Sequence, residues 1–203
     1  MLGRERTGTP ADLLVVGLGN PGADYHGTRH NVGAQVVELL VSRHRGKLKM
    51  GRERAITDEL RVGQHRLAVA IPQTYMNLSG ESVRPLVRRH GITDLVRLVV
   101  IHDELDLPAG RVKLKFGGGT AGHNGLKSIQ AHLGSPDFAR IRIGVGRPPG
   151  QQSGADYVLK RPGKADSILL DVAVEVAADA VESILTDSFD RVMNQVNTLP
   201  AVP

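Results

Sequence analysis

The sequence predicts an α/β domain built around a mixed sheet, and three observations support this. Apolar runs of strand length alternate with segments whose apolar residues recur at helical spacing. Two strand segments, RVKLKF and ARIRIGV, alternate polar with apolar residues, which is typical of antiparallel strands with one exposed face. The 203 residues include no cysteine and no apolar run of membrane-spanning length, which excludes a disulfide framework, a cysteine zinc site and a membrane-spanning helix.

Each strand is predicted from a short apolar or alternating run. LLVVG and LAVAI are apolar throughout, as expected of strands buried on both faces, and RLVVIH is a third run of this kind. The predicted strands are 13–17, 55–62, 66–71, 97–102, 111–116 and 139–145.

Helices are predicted from apolar spacing together with residues that begin or end a helix. Val32, Val36 and Leu40 form the apolar stripe of the first helix. Ser79 is expected to be an N-cap, and Gly134 is expected to end a helix. The predicted helices are 31–45, 79–89, 124–133 and 166–185, the last with an Asp or Ser cap. No internal repeat or low-complexity linker divides them, so we predict one domain at 12–197, a disordered leader at 1–11 and a flexible tail at 198–203.

The charge distribution indicates a polyanionic partner. Residues 1–163 carry 24 Lys and Arg against 14 Asp and Glu, a net of +10, whereas residues 164–203 carry a net of −5. A solvated surface of mixed charge is the alternative interpretation. With three Tyr, three Phe and no Trp, a platform of rings that stacks single-stranded RNA is not expected.

A glycine-rich turn follows the first strand. Gly17 to Gly22 match the spacing of a dinucleotide-binding fingerprint, but Pro21 and Gly22 predict a turn, and the helical pattern starts only near Asn31. We therefore interpret the segment as a backbone turn that presents Asn20.

Several later segments carry polar side chains that suit hydrolysis by an activated water. His30 lies near a helix start, where it is either a general base or a capping histidine, and Asp103 follows a buried strand and could orient a histidine. Amide side chains, which can donate to a developing oxyanion, are found at Asn20, Asn77 and Asn124. This set predicts cleavage of an ester-like bond without metal or cofactor.

Two other functions remain open from the residues alone. The segment IHDELD offers His102, Asp103, Glu104 and Asp106 as ligands of a hard cation, which would suit a metal-dependent hydrolase. A non-catalytic RNA-binding protein would use only the basic faces.

Together these segments resemble the bacterial peptidyl-tRNA hydrolase family. The motifs are LLVVGLGNPG, Tyr25 with TRHNVG, TYMNLSG, HDELDLP, a GGHNGLK-like segment with Ala121 in place of the usual glycine, and RIRIGVGRP. They occur in family order from about residue 13 to about residue 197. The resemblance implies a single three-layer α/β/α domain around a twisted mixed sheet, and a monomeric, metal-independent cytoplasmic enzyme of translation. It implies peptidyl-tRNA as the partner, bound by its acceptor stem and 3′ end.

The resemblance also implies a role for each matching residue. His30 is the general base, Asp103 orients it, and Asn20 senses the acylated α-amine of the substrate. Substrate-binding roles fall on Tyr25, Tyr75, Met76, Asn77 and Asn124, whereas His123 is secondary. Lys115 and Arg142 match the pair that binds the tRNA 5′-phosphate, with Lys113 and Arg140 beside them. Alternation places the two lysines on one face of their strand and the two arginines on one face of theirs. The alternative for this basic face is an edge strand protected by charge. Residues 155–162 match the lid region.

Overall fold

Seven strands form one sheet in the computed structural model, which describes residues 10–200. The strands are β1 (Leu13–Gly17), β2 (Lys49–Met50), β3 (Ala55–Val62), β4 (His65–Pro72), β5 (Leu98–Glu104), β6 (Val112–Phe116) and β7 (Ala139–Gly144). Their order across the sheet is β2-β3-β4-β1-β5-β7-β6. The four central strands are parallel, while β2, β3 and β6 are antiparallel to their neighbours. The predicted mixed sheet is confirmed.

Helices cover both faces of the sheet. They are α1 (Val32–Arg43), α2 (Ser79–Arg89), α3 (Asn124–Leu133), α4 (Gly154–Val158), α5 (Lys164–Thr186) and α6 (Phe189–Thr198). One apolar core joins the sheet to α1, α5 and α6, and a second joins the opposite face to α2 and α3. This is the predicted three-layer α/β/α arrangement.

Most predicted elements are present, and the differences lie at helix ends and in short elements. Gly134 ends α3 in a left-handed conformation, as predicted. The predicted N-cap at Ser79 is wrong: this residue is the first of α2, and its hydroxyl donates to the carbonyl of Met76 instead of accepting from a backbone N–H of the helix. The expected side-chain cap of the long helix is wrong, since α5 begins after Gly163 without one. The elements β2, α4 and α6 were not predicted.

Close packing among β1, α1 and β5 places the polar residues that follow them. A Cβ atom at Gly33 would overlap the carbonyl oxygen of Ile101, and one at Gly17 would overlap the carbonyl of Gly33. Both positions therefore need glycine. The start of α1 consequently lies directly against the end of β5, although the two are about 70 residues apart in sequence.

The ends of the chain bear on the predicted domain boundaries. Residues 1–9 of the predicted leader and 201–203 of the predicted tail lie outside the described residues. Ala11 is buried, and its backbone N–H donates to the carbonyl of His90 at 3.0 Å, so the packed domain already includes this residue. No helix within residues 10–200 is long and apolar enough to span a membrane.

Candidate active site

A cavity of about 480 Å³ opens at the carboxyl ends of the central parallel strands. This edge of the sheet is where α/β folds place their ligands. Seven of the predicted site residues line the cavity: Asn20, His30, Tyr75, Met76, Asn77, Asp103 and Asn124. The predicted Tyr25 does not line it; this residue ends a short 3₁₀ turn (Ala23–Tyr25), and its backbone carbonyl accepts from the Thr28 hydroxyl at 2.7 Å.

His30 and Asp103 form a hydrogen-bonded pair at the base of the cavity. His30 lies in a 3₁₀ turn (Arg29–Asn31) just before α1, and Asp103 is the penultimate residue of β5. Their Nδ1 and Oδ1 atoms are 2.8 Å apart. Because a carboxylate can only accept, the His30 Nδ1–H donates, which leaves Nε2 as the basic nitrogen. Within residues 10–200, no hydrogen bond occupies that Nε2 atom.

Asp103 is charged although it is only 3% exposed. Burial alone would raise the pKa of its carboxyl group, but His30 and His123 donate to Oδ1 and hold that pKa well below its usual range. A carboxylate at this position stabilises a positive charge that forms on a neighbouring imidazole.

His123 contributes more to the site than the sequence indicated. Its Nδ1 accepts hydrogen bonds from the backbone N–H groups of Gly125 and Leu126, so it caps α3. Nε2 must therefore carry the proton, and it donates to Asp103 Oδ1 at 3.0 Å. The fixed tautomer makes His123 a second donor to Asp103. This contact depends on how closely the start of α3 packs against the end of β5, which cannot be predicted from the sequence.

Asn20 is held so that its amide nitrogen is available. Its Oδ1 accepts from the backbone N–H of Met76 at 2.8 Å, so Nδ2 keeps both of its protons for other partners. Asn31 bonds the backbone of Asn20 twice, accepting from its N–H and donating to its carbonyl, both at 2.9 Å. Asn31 was not among the predicted site residues, although it lies in the same TRHN motif as His30.

Comparison with known proteins connects this arrangement to one family. The family model described as peptidyl-tRNA hydrolase matches residues 14–202. The chain belongs to the peptidyl-tRNA hydrolase family. The resemblance inferred from the sequence motifs is thereby confirmed.

Individual relatives agree with the family model. The peptidyl-tRNA hydrolase of Frankia alni is 46% identical over 95% of this chain and 99% of its own length. That of Kineococcus radiotolerans is 49% identical over 87% of this chain and 92% of its own length. The crystal structure of peptidyl-tRNA hydrolase from Acinetobacter baumannii superposes with a TM-score of 0.88 at 35% identity, covering 96% of this chain and all of that one.

The basic residues that the family resemblance assigned to tRNA phosphate lie at one edge of the sheet. In the antiparallel pairing of β6 with β7, Lys113 lies opposite Arg142 and Lys115 opposite Arg140. Lys115 is exposed. Lys113 donates to the carbonyl of Asn197 at 2.9 Å, and Arg142 forms an ion pair with the buried carboxylate of Glu104 at 3.1 Å.

The phosphate-binding prediction required Arg140 to lie on the surface, but its side chain is buried. It is 2% exposed, and burial lowers the pKa of its guanidinium. The guanidinium donates to the backbone carbonyls of Gly118, Gly119 and Pro136 at 2.7–3.0 Å. The glycine-rich loop that precedes α3 therefore rests on Arg140, which explains why this side chain is buried while its strand neighbour Arg142 is not.

The residues suggested as metal ligands in the HDELD segment do not converge. His102 donates from Nδ1 to the carbonyl of Asp103, Glu104 pairs with Arg142, and Asp106 pairs with Arg147. Ligand atoms of His30, Asp103 and His123 do lie within 4.8 Å of one another. However, a metal on His123 Nε2 would displace its proton while backbone N–H groups still occupy Nδ1. The donor set therefore suits a chain of hydrogen bonds better than a metal centre.

Proposed function

We propose that the protein hydrolyses the ester bond between a peptide and the 3′-terminal ribose of tRNA, with His30 as the general base that activates water. The observation that carries the proposal is the 2.8 Å bond between His30 and the buried Asp103 carboxylate, in a cavity that three asparagine side chains line. Membership of the peptidyl-tRNA hydrolase family supports the same substrate.

The proposed reaction begins with proton transfer from water to His30 Nε2. The water oxygen bonds to the ester carbonyl carbon, and the carbonyl oxygen becomes an oxyanion. The ester C–O bond then breaks, and the proton on His30 passes to the departing ribose oxygen. Asp103 stabilises the imidazolium between these two transfers, because its charge lies 2.8 Å from Nδ1.

Asn20, Asn77 and Asn124 are the proposed donors to the substrate. Since Asn20 Oδ1 already accepts from Met76, its Nδ2 is the group that can meet an acceptor in the cavity. We assign it to the carbonyl of the N-acyl group, which an unblocked aminoacyl-tRNA lacks. The exposed ring of Tyr75 and the thioether of Met76 form the apolar part of the same wall.

Recognition of the tRNA is proposed for the edge formed by β6 and β7, where Lys115 is exposed and Lys113 and Arg142 flank it. Cations at this edge would contact phosphate of the acceptor stem. On this proposal the enzyme acts as a monomer in the cytoplasm, where translation produces its substrate.

The proposal is tested by peptide release from N-acetylaminoacyl-tRNA in EDTA, with unblocked aminoacyl-tRNA in parallel. We expect cleavage of the blocked substrate only. His30→Ala should lower kcat by about 10² to 10⁴, the usual contribution of a general base. His26→Ala is the matched control, because His26 is exposed in the same loop and should leave kcat unchanged.

Two results would contradict this assignment. Near-normal turnover by His30→Ala would remove His30 as the base, and loss of wild-type activity in EDTA would favour a metal-dependent reaction. A folded wild-type protein that binds tRNA without cleaving it would make the RNA-binding function the better explanation.

A further inference from the structure

Arg29 precedes the proposed base and is buried, at 6% exposed. A buried cation is costly unless charged or polar groups surround it, and an apolar side chain of similar volume would often pack at lower cost. A buried arginine next to His30 therefore indicates a role beyond packing.

The side chain of Arg29 contacts the segment that forms one wall of the cavity and the residues after that segment. That wall, here called the α4 wall, consists of Gly154, Ala155, Val158 and Leu159. The Arg29 guanidinium lies over the ring of Tyr157, 4.1 Å from the ring centroid, and Tyr157 in turn donates its hydroxyl to the carbonyl of Val145 at 3.0 Å. Tyr157 lies within α4, between the residues that form the wall.

Hydrogen bonds fix the chain immediately after the wall. Arg29 Nη1 donates to the carbonyls of Lys160 and Arg161 at 3.3 and 3.0 Å, and Nη2 pairs with Asp166 in the first turn of α5 at 3.0 Å. The backbone N–H of Arg29 also donates to the carbonyl of Lys160 at 3.2 Å. One side chain thus joins the turn that carries His30 to Tyr157 within the wall segment and to the chain that follows the wall.

We infer that Arg29 is a positioning residue, which sets the separation between the α4 wall and His30. This inference rests on the proposed function. A planar guanidinium with several donors can hold two carbonyls, a carboxylate and an aromatic ring at once, whereas an ammonium cannot. Loss of these contacts would loosen the wall against the substrate and let the turn that carries His30 shift.

The test compares Arg29→Met and Arg29→Lys with Arg43→Met. Arg43 is the matched control because it also forms ion pairs with α5, through Glu175, Asp179 and Glu182, but none of these partners belongs to the α4 wall or to the residues directly after it. With N-acetylaminoacyl-tRNA, we expect Arg29→Met to lower kcat/KM by between about tenfold and 100-fold through both a higher KM and a lower kcat. Arg29→Lys should be intermediate, and Arg43→Met should lower the thermal midpoint while leaving kcat/KM unchanged.

Amide hydrogen exchange supplies a readout that does not depend on turnover. Exchange in residues 157–160 should be faster in both Arg29 variants than in Arg43→Met at the same fraction folded. If Arg29→Met does not fold, Arg29→Lys and Asp166→Asn provide the same comparison. Equal kcat/KM and equal exchange in the Arg29 and Arg43 variants would overturn the inference. An inactive wild type would instead reject the proposed function, and hydrogen exchange would still decide whether Arg29 holds the wall.

Discussion

Asp103 Oδ1 accepts two imidazole N–H groups, but only one of these imidazoles can exchange a proton without structural cost. Protonation of His123 at Nδ1 would remove the acceptor for the backbone N–H groups that begin α3. His30 has no such constraint on Nε2 among the described residues. The geometry therefore supports His30 as the proposed base and leaves His123 as a fixed donor.

The charge of Asp103 should matter more than its shape. Asp103→Asn keeps the size of the side chain but removes the carboxylate that stabilises an imidazolium at His30. We expect kcat for N-acetylaminoacyl-tRNA to fall by about 10² to 10⁴. Asp24→Asn, at an exposed position in the loop before α1, is the control. Turnover of Asp103→Asn within twofold of wild type would show that the charge is not used.

The two contacts of His123 can be separated by two substitutions. Asparagine is a good N-cap, so His123→Asn should keep the cap of α3 while losing the donor to Asp103. We expect kcat to fall about tenfold, the effect of losing one hydrogen bond to a charged group, with little change in stability. His123→Ala should lose the cap as well and cost about 1 kcal/mol in the free energy of unfolding. Equal unfolding free energies for the two variants would contradict the capping role.

At the scale of elements, the pairing of β6 with β7 decides which cations can meet a phosphate. Alternation along each strand placed Arg140 and Arg142 on one face, and the sequence could not distinguish them further. The difference arises because backbone carbonyls of the glycine-rich loop accept hydrogen bonds from the guanidinium of Arg140. Lys115, directly opposite on β6, stays exposed.

Removal of Lys115 should weaken tRNA binding through charge alone. For Lys115→Ala we expect lower affinity, and a plot of log affinity against log salt that is less steep by about one unit. Binding titrations at several salt concentrations measure both. Lys49→Ala is the matched control, because Lys49 is exposed on β2 at the opposite edge of the sheet. An unchanged slope in Lys115→Ala would place the phosphate contact elsewhere.

The element boundaries show what local sequence can predict. The end of α3 at Gly134 is a local property of glycine and was predicted, whereas α6 was missed although its signals are present. Ser188 caps α6, and Phe189, Val192 and Val196 recur at helical spacing on its buried face. The helix is short, and its apolar face is stabilised by packing against the core that includes the edge strand β6, a contact that no local pattern specifies.

Across the whole molecule, the site could be predicted as a set of residues but not as a set of contacts. Polar residues at or just after the carboxyl ends of parallel strands meet at one edge of the sheet, which brings Asn20, Asn77 and Asp103 to one cavity. The contact of His123 with Asp103 joins residues 20 apart in sequence, and that of Arg29 with Lys160, just after the α4 wall, joins residues 131 apart. Such contacts depend on how helices pack on the sheet, and spacing along the chain does not reveal them.

The fold as a whole should lose stability as the pH falls below neutrality. His102 is fully buried; desolvation, together with the neighbouring His123, lowers its pKa from 6.5 to about 3. Burial also lowers the pKa of His90. Between pH 6.5 and about 3, the unfolded chain binds a proton at position 102 that the folded chain does not, so acidification favours unfolding. The depressed pKa of Asp103 adds to this loss once the pH falls towards 3.8, the ordinary pKa at which the unfolded chain protonates that carboxylate.

The contribution of His102 can be isolated with His102→Asn. The asparagine amide can still donate to the carbonyl of Asp103, as His102 Nδ1 does, but it does not titrate. In urea titrations between pH 6.5 and 4, we expect the free energy of unfolding of this variant to fall less steeply with decreasing pH, by up to about 1.4 kcal/mol per pH unit. His26→Asn, at an exposed histidine, should follow the wild-type slope. Parallel slopes for His102→Asn and wild type would mean that another group causes the acid sensitivity, and His90 would be the next to test.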